Sequence, residues 1–309
     1  MGVTIDPEIL AVRAAMAAVT GPFDVTRLPP AEGRRLIDAA AASLNDGEPA
    51  MARIEDHEVG GQRVRLYLPR EAAPHGFLFY LHGGGWFACD VDTHDRMLRL
   101  LAQQSGVAAF SADYRHAPEH PYPTPLDDAA RAWDWAEQHA RRLGLGDRFV
   151  FAGDSAGANM ALALMLRLRD AGRPMPRGGA LLYGCFAPGL DTGSRRAFGA
   201  GGYGLTHARM QWYWGNYLAG TSAVEATPLH ADLAGLPPQF LGIAEADTVA
   251  DDSRLLAARL SAAGVAAELK VWPGAVHGFL QMSRDAAIAR AAIGDVAAAV
   301  RRLLAYSSR

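Results

Sequence analysis

The stretch Phe151-Ala152-Gly153-Asp154-Ser155-Ala156-Gly157 constrains this chain more than any other. Before it, Arg148-Phe149-Val150-Phe151 is apolar and short, as a buried strand should be. After it, Ala158 to Leu166 is rich in strong helix formers. A strand that feeds a helix through Gly-x-Ser-x-Gly must turn sharply, and only small neighbours let the two elements pass so close. Gly153 and Gly157 lack a Cβ and supply that room. Ser155 is then left on the tip of the turn, in a backbone geometry most residues would find strained. Its neighbouring amides open a helix, where unpaired N–H groups and the dipole favour developing negative charge. Taken alone, the motif also fits a glycine-rich loop with a capping serine. The strand before and the helix after argue for a hydroxyl presented to a ligand.

Composition narrows the class of protein. Of 309 residues, 50% are hydrophobic and 20% charged, which suits a globular chain with a sizeable core. A formal net charge of −3 gives no electrostatic basis for binding nucleic acid or an anionic membrane. Two cysteines, Cys89 and Cys185, are too few for a disulfide framework or a thiolate metal site. The start, Met1 to Glu8, has neither the positive nor the apolar region of a secretory signal. The apolar run Met160 to Leu166, among the longest, is far short of a membrane span. The expectation is a cytoplasmic protein without nucleic-acid or membrane partners.

Along the chain, residues 8–20 and 31–43 are alanine-rich and helical in pattern, separated by Gly21-Pro22 and Pro29-Pro30. They precede any strand and read as an attachment to a core. Strand patterns begin near Ile54; Gln62 to Leu68 alternates polar and apolar residues, and Gly76 to Leu81 is continuously apolar. Helices and strands then take turns: helix 92–105, strand 107–111, helix 125–142, strand 149–151, the helix after Ser155, and strand 180–183. A glycine- and aromatic-rich interruption covers 188–228. The alternation resumes with strand 239–244, helix 251–263, strand 267–272 and helix 285–305. This is the pattern of an α/β fold with a mainly parallel central sheet flanked by helices. The division it predicts is an N-terminal helical cap segment over 1–50, a core over 51–187 and 229–309, and a cap insertion over 188–228.

A serine hydroxyl is a poor nucleophile near neutral pH and needs a base within hydrogen-bond reach, itself held by a partner. Of ten histidines, His277 is best placed, following the last strand in Pro273-Gly274-Ala275-Val276-His277-Gly278. The acid is expected between serine and histidine, after the strand ending near Ala244. There Glu245, Asp247, Asp251 and Asp252 compete. Asp251 and Asp252 open a helix and suit cap and first-turn roles. Asp247 is the choice, with Glu245 and Asp251 behind it. The third component is His82-Gly83-Gly84-Gly85-Trp86, directly after an apolar strand. Gly84 and Gly85, with the amide of Ala156, are the expected donors to an oxyanion, while Gly83 makes the turn. Trp86, Phe87, Trp212 and Tyr213 are candidates to line a pocket. His116 and His120 have metal-like spacing, but Pro118 between them breaks any helix, and no metal site is expected.

With these residues in view, the sequence resembles the hormone-sensitive-lipase-like esterases (bacterial family IV), a branch of the α/β-hydrolases. His82-Gly83-Gly84-Gly85-Trp86 and Gly153-Asp154-Ser155-Ala156-Gly157 match its two signatures, and Asp113 to Pro123 matches the segment between them. The resemblance runs over essentially the whole chain. It implies an α/β-hydrolase fold with a helical cap and a Ser155–His277–Asp247 triad. It also implies hydrolysis of carboxylic esters through an acyl-enzyme, with no metal or organic cofactor, and a pocket crowded by the aromatic candidates would favour short- to medium-chain esters. The expected partner is a small-molecule ester, and the expected state a monomer or homodimer. One departure stands out: the family's acid is usually followed by proline, whereas Thr248 follows Asp247. The rival readings are a catalytically silent small-molecule receptor on the same fold and an amidase using the same triad.

Overall fold

The computed structural model describes residues 2–71 and 76–306. Two helices come first, α1 (Pro7–Thr20) and α2 (Pro30–Ala42). A hairpin follows, β1 (Arg53–Val59) and β2 (Gln62–Leu68), closed by the two-residue turn Gly60-Gly61. Then come β3 (Phe77–Leu81), α3 (Asp95–Ser105), β4 (Ala108–Ala112), α4 (Thr124–Arg142), β5 (Phe149–Asp154), α5 (Ala156–Asp170) and β6 (Gly178–Leu182). Two more helices, α6 (Gly193–Phe198) and α7 (His207–Leu218), fill the interruption. The chain closes with β7 (Gln239–Ala246), α8 (Ala250–Ala262), β8 (Ala267–Val276) and α9 (Ala287–Ala305).

The eight strands form one sheet in the order β1-β2-β4-β3-β5-β6-β7-β8. β2 is antiparallel to both its neighbours, and all pairings from β4 onward are parallel. A parallel sheet is covered on both sides, and the strand side chains divide accordingly with period two. From β3, Phe77, Phe79 and Leu81 join the core layer beneath α4, α5 and α8, with Trp133, Phe151 and Leu164. Leu78 and Tyr80 face the other layer, with Val150, Leu182, Ile293 and Val300 beneath α3 and α9.

The first strand begins where the pattern near Ile54 puts it, and the later elements differ from the sequence expectation only at their ends. β1 (Arg-Ile-Glu-Asp-His-Glu-Val) is a charged edge strand, and its polar side chains suit a position with solvent on one flank. Residues 92–94 form a turn rather than the start of α3. Thr93 N–H donates to the Asp90 carboxylate, and Thr93 Oγ1 accepts from Asp90 N–H, in an arrangement that competes with helix. β7 and β8 run on to Ala246 and Val276, each past its expected end, because a register shift between Ala244 and Ala246 keeps them paired. Within the stretch Pro7–Arg27 an 18-residue window reaches a mean hydropathy of 1.3, which is long and apolar enough to cross a membrane by length and composition alone. The stretch is not a continuous apolar run, since Glu8, Arg13, Asp24 and Arg27 interrupt it. In the fold this stretch is broken: α1 stops at Gly21 and a short 3₁₀ turn, Val25–Arg27, follows.

The turn between β5 and α5 is the tightest place in the sheet. A Cβ on Gly157 would overlap the Leu81 carbonyl oxygen, and one on Gly153 would stand 2.5 Å from the Gly157 carbonyl. Both obstacles are backbone and cannot rotate away. Gly157→Ala is therefore expected to lower stability by roughly 3 kcal/mol or more, at or beyond the usual upper cost of overpacking. Gly215→Ala, on the exposed face of α7 where a Cβ meets nothing, should be neutral or stabilising by about 0.5–1 kcal/mol. Urea unfolding of both variants measures this; equal midpoints would show that the turn tolerates a methyl group.

Candidate active site

Four strand ends deliver the site. Leu81 pairs with Gly153, so His82 and the glycines after it lie beside the turn that carries Ser155. Ala246 pairs with Val276, so the next residue on each strand, Asp247 and His277, are neighbours. All of these lie at the carboxyl ends of parallel strands, where open α/β sheets bind ligands.

Ser155 has φ 53° and ψ −118°, a left-handed backbone rarely adopted by a residue with a Cβ. The surroundings hold it there. Its N–H donates to Leu182 O (2.9 Å), and its carbonyl accepts from Asn159 N–H (3.2 Å). Strain of this kind, fixed by packing, keeps Oγ off the helix cap, and indeed the Ser155 side chain makes no capping bond. Instead Oγ lies 2.8 Å from His277 Nε2, and His277 Nδ1 lies 2.7 Å from Asp247 Oδ2. A carboxylate only accepts, so Nδ1 carries the proton and Nε2 is free to take one from the hydroxyl. Burial disfavours the His277 imidazolium, but the charge and hydrogen bond of Asp247 outweigh it, with Asp154 and Asp252 adding less. The net pKa is raised above the ordinary 6.5.

The other carboxylates of the loop have separate duties. Glu245 accepts from Gly274 N–H (2.8 Å) and braces the end of β8. Asp251 accepts from Ser194 N–H and pairs with Arg254, both at 2.8 Å. Asp252 stands in the first turn of α8, as expected, but inside the protein. It is fully buried, 3.2 Å from Arg195, and burial pushes its pKa up to about 7 against the pull of that guanidinium. Thr248, where the family pattern has proline, is buried and donates from Oγ1 to Leu205 O (2.6 Å), linking the acid loop to the segment before α7.

The glycine turn is fixed from below by Asp154. Its Oδ1 accepts from Gly83 N–H (2.8 Å) and Tyr80 O–H (2.9 Å) and lies 3.2 Å from His94 Nε2. Burial disfavours its charge, yet His94 and these donors hold its pKa below the usual carboxylate range. Above that anchor, Gly84 (φ 115°) and Gly85 (φ 66°) adopt backbones that suit glycine alone. Among the described residues, the amides of Gly84, Gly85 and Ala156 donate to no protein acceptor. His82 is buried against Tyr114 (ring centroids 4.3 Å apart, nearly parallel), and its Nδ1 meets Gly83 O at 2.7 Å.

A cavity of about 490 Å³ opens over Ser155, Gly84, Gly85 and His277, within the usual range for small-molecule sites. Its walls come from α1, α2, the connection between them, and the start of α7. Of the aromatic candidates, Tyr213 lines it. Trp86, Phe87 and Trp212 do not: Trp86 stacks on Tyr217 (4.1 Å, 2°), and Phe87 packs edge-on against Trp212 (4.9 Å). Their rings glue the glycine turn to α7, a burial that outweighs exposure to a pocket. A larger cavity, about 630 Å³, lies at the amino ends of the strands beside Phe77 and Phe149, away from these groups. Among the described residues, one group of metal-ligand types converges, Glu55, His57 and His139, on β1 and α4 and outside the cavity. Arg53 pairs with Glu55 there (3.3 Å). His116 is held among His82 and Tyr114, while His120 is exposed.

Sequence reasoning missed the roles of Tyr80 and His94 beneath the turn, and the wall residues of α1 and α2. No local pattern marks them, because they meet the site only through packing.

Comparison with known proteins agrees with the geometry. Residues 78–281 match the family described as alpha/beta hydrolase fold. The chain is 39% identical over 244 residues to an acetyl esterase of Salmonella schwarzengrund, covering 76% of this chain and 75% of that one. Among solved structures, an ester-hydrolase from the metagenome of Lake Arreo, complexed with a bipyridine phosphonate derivative, is 33% identical. It superposes with a TM-score of 0.89 over 98% of this chain and 100% of that one. An esterase of the bacterial hormone-sensitive lipase family is 29% identical, with a TM-score of 0.86 over 97% and 99%. With its strand order, its glycine turn and its serine elbow all in place, the chain belongs to the α/β-hydrolase family, among the hormone-sensitive-lipase-like esterases, and is a carboxylesterase.

Proposed function

We propose that Ser155 is the nucleophile, His277 the general base and acid, and Asp247 the group that orients and charges the imidazole. The observation that carries this reading is the unbroken relay Asp247–His277–Ser155, at 2.7 and 2.8 Å, on the floor of a cavity. In this mechanism Ser155 Oγ attacks the ester carbonyl while Nε2 takes its proton. The carbonyl oxygen, now an anion, is received by the amides of Gly84, Gly85 and Ala156, which have no other protein acceptor to leave. The tetrahedral intermediate collapses, and the alcohol departs with the proton from His277. Water, deprotonated by His277, then releases the acid from the acyl-enzyme and restores the hydroxyl.

Residues 1–50 and 188–228 act in this reading as a cap that walls the cavity. The wall positions Met16, Phe23 and Ile37 on one segment and Leu205, Met210 and Tyr213 on the other support it. The preferred acyl groups are short. The support is the likeness to a protein named acetyl esterase and the placing of Tyr213 beside Gly85, where a Cβ would stand 2.6 Å from its ring.

Ser155→Ala is expected to lower kcat on short esters by about 10⁶-fold, as when a triad is cut elsewhere. A fluorophosphonate should add one adduct to the wild type and none to the variant by intact mass; labelling of the variant would place the nucleophile at another residue. The reactive imidazole is the neutral one and its pKa is raised, so kcat/KM should be level in the alkaline range and begin to fall above pH 6.5 on acidification. A pH profile that stays flat down to pH 5, on the order of one unit below the ordinary histidine value, would remove His277 as the base. Across acetyl, butyryl, octanoyl and palmitoyl esters of one alcohol, kcat/KM should peak at acetyl or butyryl. A palmitoyl optimum would refute the short-chain reading.

A further inference from the structure

The walls of the cavity over Ser155 carry two charged side chains besides His277 and Asp154 at its floor, Arg13 on α1 and Arg209 in the first turn of α7, with Thr20 and Gln281 as neutral polar groups. They stand 196 positions apart in the sequence and meet only because the two segments pack over the same strand ends. Several other partly buried guanidiniums are paired with acids. Arg65 meets Asp56 and Asp95, Arg167 meets Asp127 and Glu225, and Arg195 meets Asp252. The two arginines of the cavity are not. Arg13 donates from Nη1 to Gly202 O (3.0 Å), and among the described residues it has no carboxylate within ion-pair reach. The Arg209 guanidinium makes no hydrogen bond or ion pair among the described residues. Asp24, whose carboxylate feels the Arg209 charge, is exposed and already engaged by Thr26 and Arg27.

The cavity wall offers no counter-charge of its own. Its one carboxylate, Asp154, is committed beneath the glycine turn to Gly83, Tyr80 and His94. Arg13 is half-withdrawn from water, and burial lowers its pKa with no acid to offset the loss. Holding a guanidinium in such a place costs free energy unless something anionic arrives to pair with it. Arginine is also the residue whose planar fork of donors fits a carboxylate with two parallel hydrogen bonds.

Resting on the reading of Ser155 as nucleophile, we propose that this cavity takes esters that bear a carboxylate away from the scissile bond, with Arg13 and Arg209 as its seat. The anion would belong either to the acyl part, as in a half-ester of a dicarboxylic acid, or to the alcohol part. The recognising chemistry is the same, and two pairs of substrates separate them.

For the acyl arm, kcat/KM for para-nitrophenyl hemiadipate is compared with that for its methyl ester. For the alcohol arm, para-acetoxybenzoate is compared with methyl para-acetoxybenzoate, and each rate is corrected for its enzyme-free hydrolysis. In one arm the charged ester should be preferred by about tenfold or more, the scale of a hydrogen bond to a charged group. Added salt should narrow the preference. Arg13→Gln and Arg209→Gln should each cut the charged-to-neutral ratio several-fold. General damage to folding would not move that ratio, and thermal unfolding of each variant monitors it. If wild type hydrolyses the neutral esters while the charged ones do no better in either arm, this inference fails and the hydrolase reading stands. If it hydrolyses none of the four and Ser155 takes up no fluorophosphonate, both fail together.

Discussion

Everything in the site depends on how closely two pieces of backbone approach at the end of β5. Gly153 and Gly157 lie against the carbonyls of Leu81 and His82, with no space for a methyl group. That contact forces the chain over the top of the sheet, and Ser155 takes the left-handed conformation that results. It also sets the serine turn directly beside the start of the glycine turn. The hydroxyl and the amides that would receive an oxyanion are positioned by one packing event. Neither the strand nor the helix could be moved without moving both.

A second constraint keeps that arrangement rigid. Asp154, the residue between the first glycine and the serine, is buried and accepts from Gly83 N–H and Tyr80 O–H beside His94. A buried carboxylate left unpaired would be costly, so its partners are held as firmly as it is. The middle of one motif thus fixes the other motif from below. On the opposite side, the register Ala246↔Val276 performs the same task for Asp247 and His277, because paired strands that end together release their next residues together. Thr248 adds a bond to Leu205 O, tying the acid loop to the segment leading into α7.

The sequence was most legible where a function requires a residue type that packing alone would not choose. The Gly-x-Ser-x-Gly elbow, the triple glycine and His277 all break the apolar pattern of the strands they end, and each is visible for that reason. Among four candidate acids, the loop position of Asp247 pointed to the right neighbour of His277, although the strands run further than their local pattern implied. Legibility failed for residues whose type is ordinary. Trp86, Phe87 and Trp212 look like pocket walls by composition, but their rings are consumed in joining the glycine turn to α7.

By itself the sequence determined the alternation of strands and helices, and with it the layers of the sheet, because hydrophobic period and turn chemistry are local properties. It also determined the serine, histidine and glycine elements, since each must sit just past the end of a buried strand. Only the tertiary structure decided what stands around them. Arg13 and Arg209 are unremarkable surface-type residues on two alanine- and aromatic-rich helices, 196 positions apart in a chain of 309. That they share a cavity follows from how α1, α2 and α7 pack across the strand ends, and such long-range packing leaves no trace in any short window of residues.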